Sequence, residues 1–168
     1  ENGICEFAVI SLNSGHDYEA LFKVYATPTC ICKAIEALGT KRGRPVDYST
    51  LTFWSKGEHY TASVKYNGVE RPITDYIFNA IDKKIMDPIT FIYLGSKWKK
   101  EADGSEIFAG DSEGPGSIIS MYKETLSVFD IPRNAPQGQV YEKTLVSKNV
   151  IGKEGEKVEI ILRPEVRP

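Results

Sequence analysis

Gly110-Asp111-Ser112-Glu113-Gly114 has the spacing of a nucleophile elbow, in which a strained strand-to-helix turn lifts a serine hydroxyl for attack. Its neighbours oppose that chemistry. Pro115-Gly116 follows at once and disfavours the helix an elbow needs, and His16 and His59, the two histidines, both precede the serine, although an α/β-hydrolase places its base after it. The segment reads instead as an acidic, glycine-rich turn between strands. Asp103, Glu106, Asp111 and Glu113 supply oxygen ligands, yet their spacing is not that of an EF-hand loop, and they read as solvated hairpin ends.

Softer ligands are few: His16, His59 and the three cysteines Cys5, Cys30 and Cys32, with no C-x-x-C pair. No metal site and no cofactor are expected. His16 and Glu19, three apart in a segment that alternates like a strand, are expected on opposite faces. Cys30 and Cys32 fall in the first turn of a helix, where open amides and the positive dipole end favour a thiolate. Two residues apart on a helix lie about 200° apart around its axis, so one thiol is expected to face the core and the other solvent. A buried cysteine is a small hydrophobe; an exposed one leaves thiol or redox chemistry open.

The elements that must position these groups follow from periodicity. Residues 4–12 alternate, with Ile4, Ala8, Ile10 and Leu12 on one side and Cys5, Phe7, Val9 and Ser11 on the other, which predicts a central strand. Asn13-Ser14-Gly15 then predicts a hairpin into a second strand over 16–26. Thr27-Pro28 predicts a helix start, Ile31, Ala34, Ile35 and Leu38 its apolar stripe, and Gly39 its end. Strands over 51–55, 59–66 and 69–73 predict a meander, its second turn set by Asn67-Gly68. Phe53, Trp54, Tyr60 and Tyr66 fall in this meander and read as core packing. Thr74-Asp75 predicts a short second helix through Ile81, with Ile77, Phe78 and Ile81 inward. Further strands are predicted over 89–95, 106–109, 116–122 and 158–162, with no helical pattern of a dozen residues between them, which argues for antiparallel pairing. The predicted class is α+β: a mostly antiparallel sheet with one well-bounded helix and one shorter one.

Composition bounds the rest. A chain of 168 residues with 41% hydrophobic and 26% charged residues suits one domain with one core. Its 21 basic and 23 acidic residues leave a net charge of -2, and Lys41-Arg42-Gly43-Arg44 and Trp98-Lys99-Lys100 are too short to form the positive field that nucleic acid requires. No nucleic-acid partner is expected. No apolar run nears the ~20 residues that span a bilayer. The sequence opens at Glu1 without a charged-then-apolar leader, and a targeting segment trimmed from a longer precursor is expected.

The order of segments carries a family resemblance. Gly15-His16-Asp17-Tyr18-Glu19-Ala20-Leu21-Phe22, then Ala26-Thr27-Pro28 and Ile31-Cys32-Lys33-Ala34-Ile35-Glu36-Ala37-Leu38-Gly39, are similar to the H-E-A-L strand, proline and A-L-x-x-L-G helix of the YdjY-like domain family of bacterial proteins. Later come Tyr93-Leu94-Gly95-Ser96, Gly116-Ser117-Ile118-Ile119-Ser120, Ser127-Val128-Phe129-Asp130-Ile131-Pro132 and Val158-Glu159-Ile160-Ile161-Leu162-Arg163-Pro164. The chain departs from the pattern where Asp17-Tyr18 separates His16 from Glu19, which the family usually places adjacent. The resemblance covers most of the chain and implies one YdjY-like domain over 1–168. It also implies an extracytoplasmic location, in the periplasm or cell envelope, with export or a lipid anchor, and supplies no catalytic residues.

The expectation is therefore a non-catalytic binding or interaction module of the bacterial envelope, with an unknown protein or small molecule as partner. Its ligand surface is placed at His16, Glu19, Tyr25, Gly95 and Ser96. The alternative is a redox-linked accessory protein or thiol enzyme using Cys30 or Cys32.

Overall fold

A strand that is apolar on both faces needs hydrogen-bonded neighbours at both edges and cover above and below. The segment Phe7–Ile10 has them, and all four residues are buried. The computed structural model describes residues 2–43, 58–79, 83–95, 97–121, 124, 126–131, 145–148 and 158–165. In chain order its strands are β1 (Asn2–Ile4), β2 (Phe7–Ile10), β3 (Ala20–Lys23), β4 (His59–Tyr66), β5 (Val69–Pro72), β6 (Ile77–Asn79) and β7 (Phe91–Tyr93). There follow β8 (Trp98–Lys100), β9 (Glu106–Phe108), β10 (Ser117–Ser120), β11 (Phe129–Asp130), β12 (Leu145–Lys148) and β13 (Val158–Pro164). Among the described residues one α-helix, α1 (Pro28–Ala37), follows β3.

The main sheet has eight strands in the order β13-β4-β7-β11-β10-β2-β3, with β5 also paired to β4. The described strands also form a three-stranded sheet β1-β12-β6 and the hairpin β8-β9. Strands dominate and the α+β class stands, but the main sheet is mixed: β2 runs parallel to β3 and β10 parallel to β11.

The predicted hairpin between β2 and β3 is the first correction, and two turns explain it. Asn67 and Gly68 both adopt positive φ, 51° and 78°, as a tight two-residue hairpin requires, and β4 and β5 pair antiparallel around them. Neither Asn13 nor Gly15 does so. The chain instead carries 11–19 back along the sheet, so Phe7 pairs with Ala20 and Val9 with Phe22 in parallel register. That short return is pinned from outside: Ser11 N–H donates to the Gly116 carbonyl at 2.7 Å, and the Ser14 hydroxyl to the Pro115 carbonyl at 2.6 Å. Gly116 sits at φ +73°, and a Cβ there would stand 2.9 Å from Ser14 Cβ, so this approach of backbones needs glycine.

The strand expected over 4–12 is broken at Cys5-Glu6: β1 joins the small sheet and β2 the large one. The expected second helix is not formed either. Ile73–Tyr76 is a single 3₁₀ turn, and Ile77–Asn79 leaves it as β6, pairing with β12. A strand partner satisfies those backbone groups in place of a helix. Ile81 and the predicted strand over 51–55, with Phe53 and Trp54, lie outside the described residues.

Helix α1 forms where expected. The Thr27 side chain accepts from the Cys30 N–H, Pro28 opens the first turn and Gly39 follows the end at φ +110°. Its inward face is rotated from the predicted stripe: Pro28, Thr29, Cys32 and Ile35 are buried, whereas Ala34 is exposed and Leu38 is 87% exposed. Polar docking sets that rotation, because Thr29 accepts from the Phe108 N–H at 2.9 Å and donates to Asp111, turning its own face toward β9.

Candidate functional site

Two polar clusters flank the core, one closed and one open. The closed one lies along the outer half of α1. The Tyr93 hydroxyl donates to Glu36 Oε2 at 2.6 Å, Arg42 Nε donates to Glu36 Oε1 at 3.1 Å, and Arg42 Nη1 to Glu106 at 2.9 Å. The Arg42 guanidinium lies 4.0 Å over the Trp98 ring, whose N–H donates to the Gly95 carbonyl at 2.7 Å. The Cys32 thiol is buried beside Tyr93; desolvation pushes it up to about 12, although the Tyr93 hydroxyl pulls the other way. The Tyr93 hydroxyl is raised too, by burial and then by the charges of Cys32 and Glu36. Every group here already has a partner.

The open cluster lies at the turn that returns β2 to β3. Residues Asp17–Glu19 form a 3₁₀ turn after His16, and on this turn His16 and Glu19 meet: His16 Nδ1 lies 2.8 Å from Glu19 Oε2. The expected placement on opposite faces is thereby corrected, because a tight helical turn brings residues three apart together where a strand would part them. A carboxylate only accepts, so against an ionised Glu19 a neutral imidazole carries its hydrogen on Nδ1 and presents Nε2 as an acceptor. Nε2 makes no hydrogen bond among the described residues. The ring is held edge-on to Phe7 at 5.3 Å and stacked on the exposed Tyr18 at 5.8 Å.

His16 also lines a cleft of about 120 Å³, with Ser11, Asn13, Ser14, Asp111 and the Gly114–Gly116 backbone. A liquid water occupies ~30 Å³, so the cleft has room for about four waters or one polar end group of a larger ligand. Much of its wall is fixed beforehand. The Ser14 hydroxyl is spent on Pro115 and on the His16 N–H, and Asp111 accepts from the Thr29 N–H at 3.3 Å and from its hydroxyl. That carboxylate sits at the first turn of α1, where the helix dipole favours it.

The other expected residues separate. Tyr25 is 91% exposed and makes no hydrogen bond among the described residues. Gly95 is buried in the closed cluster and outside the cleft lining, at φ +49°, where a Cβ would run into the Tyr93 ring. Ser96 lies outside the described residues. Cys30 is exposed and Cys32 buried, the expected division, so thiol chemistry at this helix would rest on Cys30 alone. His59 is paired elsewhere, with Thr90 at 2.6 Å. Asp103 caps its own loop through Ser105, Glu106 holds Arg42, and Glu113 pairs with Lys99, so the four carboxylates around 103–113 are dispersed. Among the described residues no three metal-ligating side chains gather, and no helix is long and apolar enough to cross a membrane. Ser112 is exposed on the turn after β9, as the reading of an inter-strand turn expects.

Asn13 and residues 114–116, which also line the cleft, were not foreseen, because its walls come from segments a hundred residues apart. Comparison with protein-family models, with curated proteins and with solved structures found no match.

Proposed function

We propose that this protein is a non-catalytic binding module whose ligand places a polar end group in the cleft beside His16. One observation carries the reading: Glu19 fixes the His16 ring through Nδ1, while Nε2, on a ring that lines the cleft, has no partner among the described residues. A neutral imidazole so held is a directed acceptor, suited to a hydroxyl or amide N–H. The cleft is too small for a whole ligand of ordinary size, since such pockets run to ~300 Å³ or more, so the rest of the ligand lies across the exposed rim where Tyr18 stands. The bacterial envelope as its place belongs to the same proposal and is supported by the ordered series from Gly15 to Pro164.

A thermal-shift screen of wild-type protein and His16→Ala against monosaccharides, peptidoglycan fragments and short peptides tests the reading, because a native-state ligand raises apparent stability by mass action. A shift present in wild type and lost in the variant is expected. No shift, or one that the variant retains in full, contradicts it.

A further inference from the structure

The first turn of α1 reaches the cleft through Pro28, and a helix N-terminus ordinarily invites an anion. Here its amides are already taken. Pro28 has no N–H, and the Thr29 N–H goes to Asp111 at 3.3 Å, the Cys30 N–H to the Thr27 hydroxyl at 3.2 Å and the Ile31 N–H to the Thr27 carbonyl at 3.2 Å. Among the described residues no Lys or Arg lines the cleft, so an anion would find no fixed positive charge there.

The wall offers acceptors instead. Asp111 receives its two hydrogen bonds from Thr29 and makes no ion pair among the described residues, so its charge has no counter-ion and about half of its roughly four lone-pair sites are open. Ser11 also lines the cleft, and although the residue is only 1% exposed its hydroxyl makes no hydrogen bond among the described residues. A Cβ on Gly116 would stand 2.8 Å from that Oγ, so it is the missing side chain of Gly116 that leaves the oxygen uncovered. A buried hydroxyl without a partner is a cost that folding alone does not explain. The third acceptor is His16 Nε2, aimed by the bond from Nδ1 to Glu19.

We infer that the end group the cleft takes is a primary alkylammonium, with Asp111 as its counter-charge and its three N–H donors shared among Asp111, the Ser11 hydroxyl and His16 Nε2. The inference rests on the binding reading and narrows its end group from any donor to a cationic one. A hydroxyl brings one hydrogen and no charge, and would leave Asp111 uncompensated. A lysine side chain, a peptide N-terminus and an amino sugar all carry the group.

The test is nitrogen-15 NMR of the full chain at pH 7.5, titrated with n-butylammonium, n-butanol and butyrate, probes of one shape with different ends. Butylammonium should move the amides of Ser11, Asn13, Gly114 and Gly116 saturably, binding at least about tenfold tighter than butanol, the worth of one charge-assisted hydrogen bond, while butyrate leaves them still. Asp111→Asn keeps an acceptor for Thr29 without the charge and should weaken butylammonium by about the same factor, and Ser11→Ala by several-fold. Acetyl-lysine amide with a free side chain, a short glycine-initiated peptide and glucosamine then separate the three sources by which binds tightest. Butyrate binding as tightly as butylammonium, or ammonium shifts that Asp111→Asn retains in full, overturns the inference, and the three probes decide it on wild type even if a variant does not fold. Butanol shifts equal to those of butylammonium and dependent on His16 would keep the cleft and discard the cationic end group. If no probe moves these amides the inference fails, and the saccharide and peptide screen judges the binding reading separately.

Discussion

The cluster around Tyr93 and the cluster around His16 are built from the same kinds of residue and end in opposite states. Around Tyr93, the polar side chains find protein partners: Tyr93 with Glu36, Glu36 with Arg42, Arg42 with Glu106 and Trp98 with Gly95. Around His16, Glu19 holds Nδ1 and the chain of partners stops there, on the wall of a cleft. A buried polar group left without a partner costs ~1–3 kcal/mol, so a closed network is what folding alone produces. An acceptor held in place and then left open is what binding requires.

Substitutions sharpen the contrast. The largest effect belongs to the closed side, at Gly95→Ala. That change demands a left-handed backbone from alanine and drives a methyl into the Tyr93 ring, and it should destabilise by roughly 2–4 kcal/mol in urea unfolding without altering ligand response. A loss under ~0.5 kcal/mol would show that this region is looser than a closed network allows. Tyr93→Phe comes next. Glu36 keeps Arg42 as a partner, so the loss should be about 1–2 kcal/mol, again with no effect on binding. The smallest change in stability is expected at His16→Ala, below ~1 kcal/mol for a part-exposed ring, while the ligand-induced thermal shift disappears. If His16→Ala instead costs as much as Gly95→Ala, the two clusters are alike and both are structural.

A difference in chemical access follows the same line. Desolvation holds the Cys32 thiol up to about 12, so iodoacetamide at pH 8 should label Cys30 in the native protein and reach Cys32 only on unfolding. Mass spectrometry of labelled native protein checks this, and rapid modification of Cys32 would mean that the helix opens.

The parts of this molecule legible in its sequence are those fixed locally. Thr27, Pro28 and Gly39 bound the helix because capping acts within one turn, and Asn67-Gly68 closes a hairpin because both residues tolerate positive φ. Asn13-Ser14-Gly15 has similar composition and makes no hairpin, since Gly116, a hundred residues on, takes the Ser11 amide and draws the chain into a parallel return. The buried face of α1 was misread for the same reason: Asp111 and Phe108 set it through Thr29, and periodicity within the helix carries no trace of them. His16 and Glu19 were found as residues but not as a pair. Alternation from Tyr18 to Ala26 reads as a strand, and the 3₁₀ turn that joins them depends on the chain having to reverse before β3.

The most direct test of the open acceptor is long-range nitrogen-15 NMR of the histidine rings, which reports which ring nitrogen carries hydrogen. The account predicts that neutral His16 carries it on Nδ1, with a bare Nε2 that shifts when a ligand from the screen is added. A His16 ring with hydrogen on Nε2, or an Nε2 signal indifferent to every ligand that binds, would contradict it.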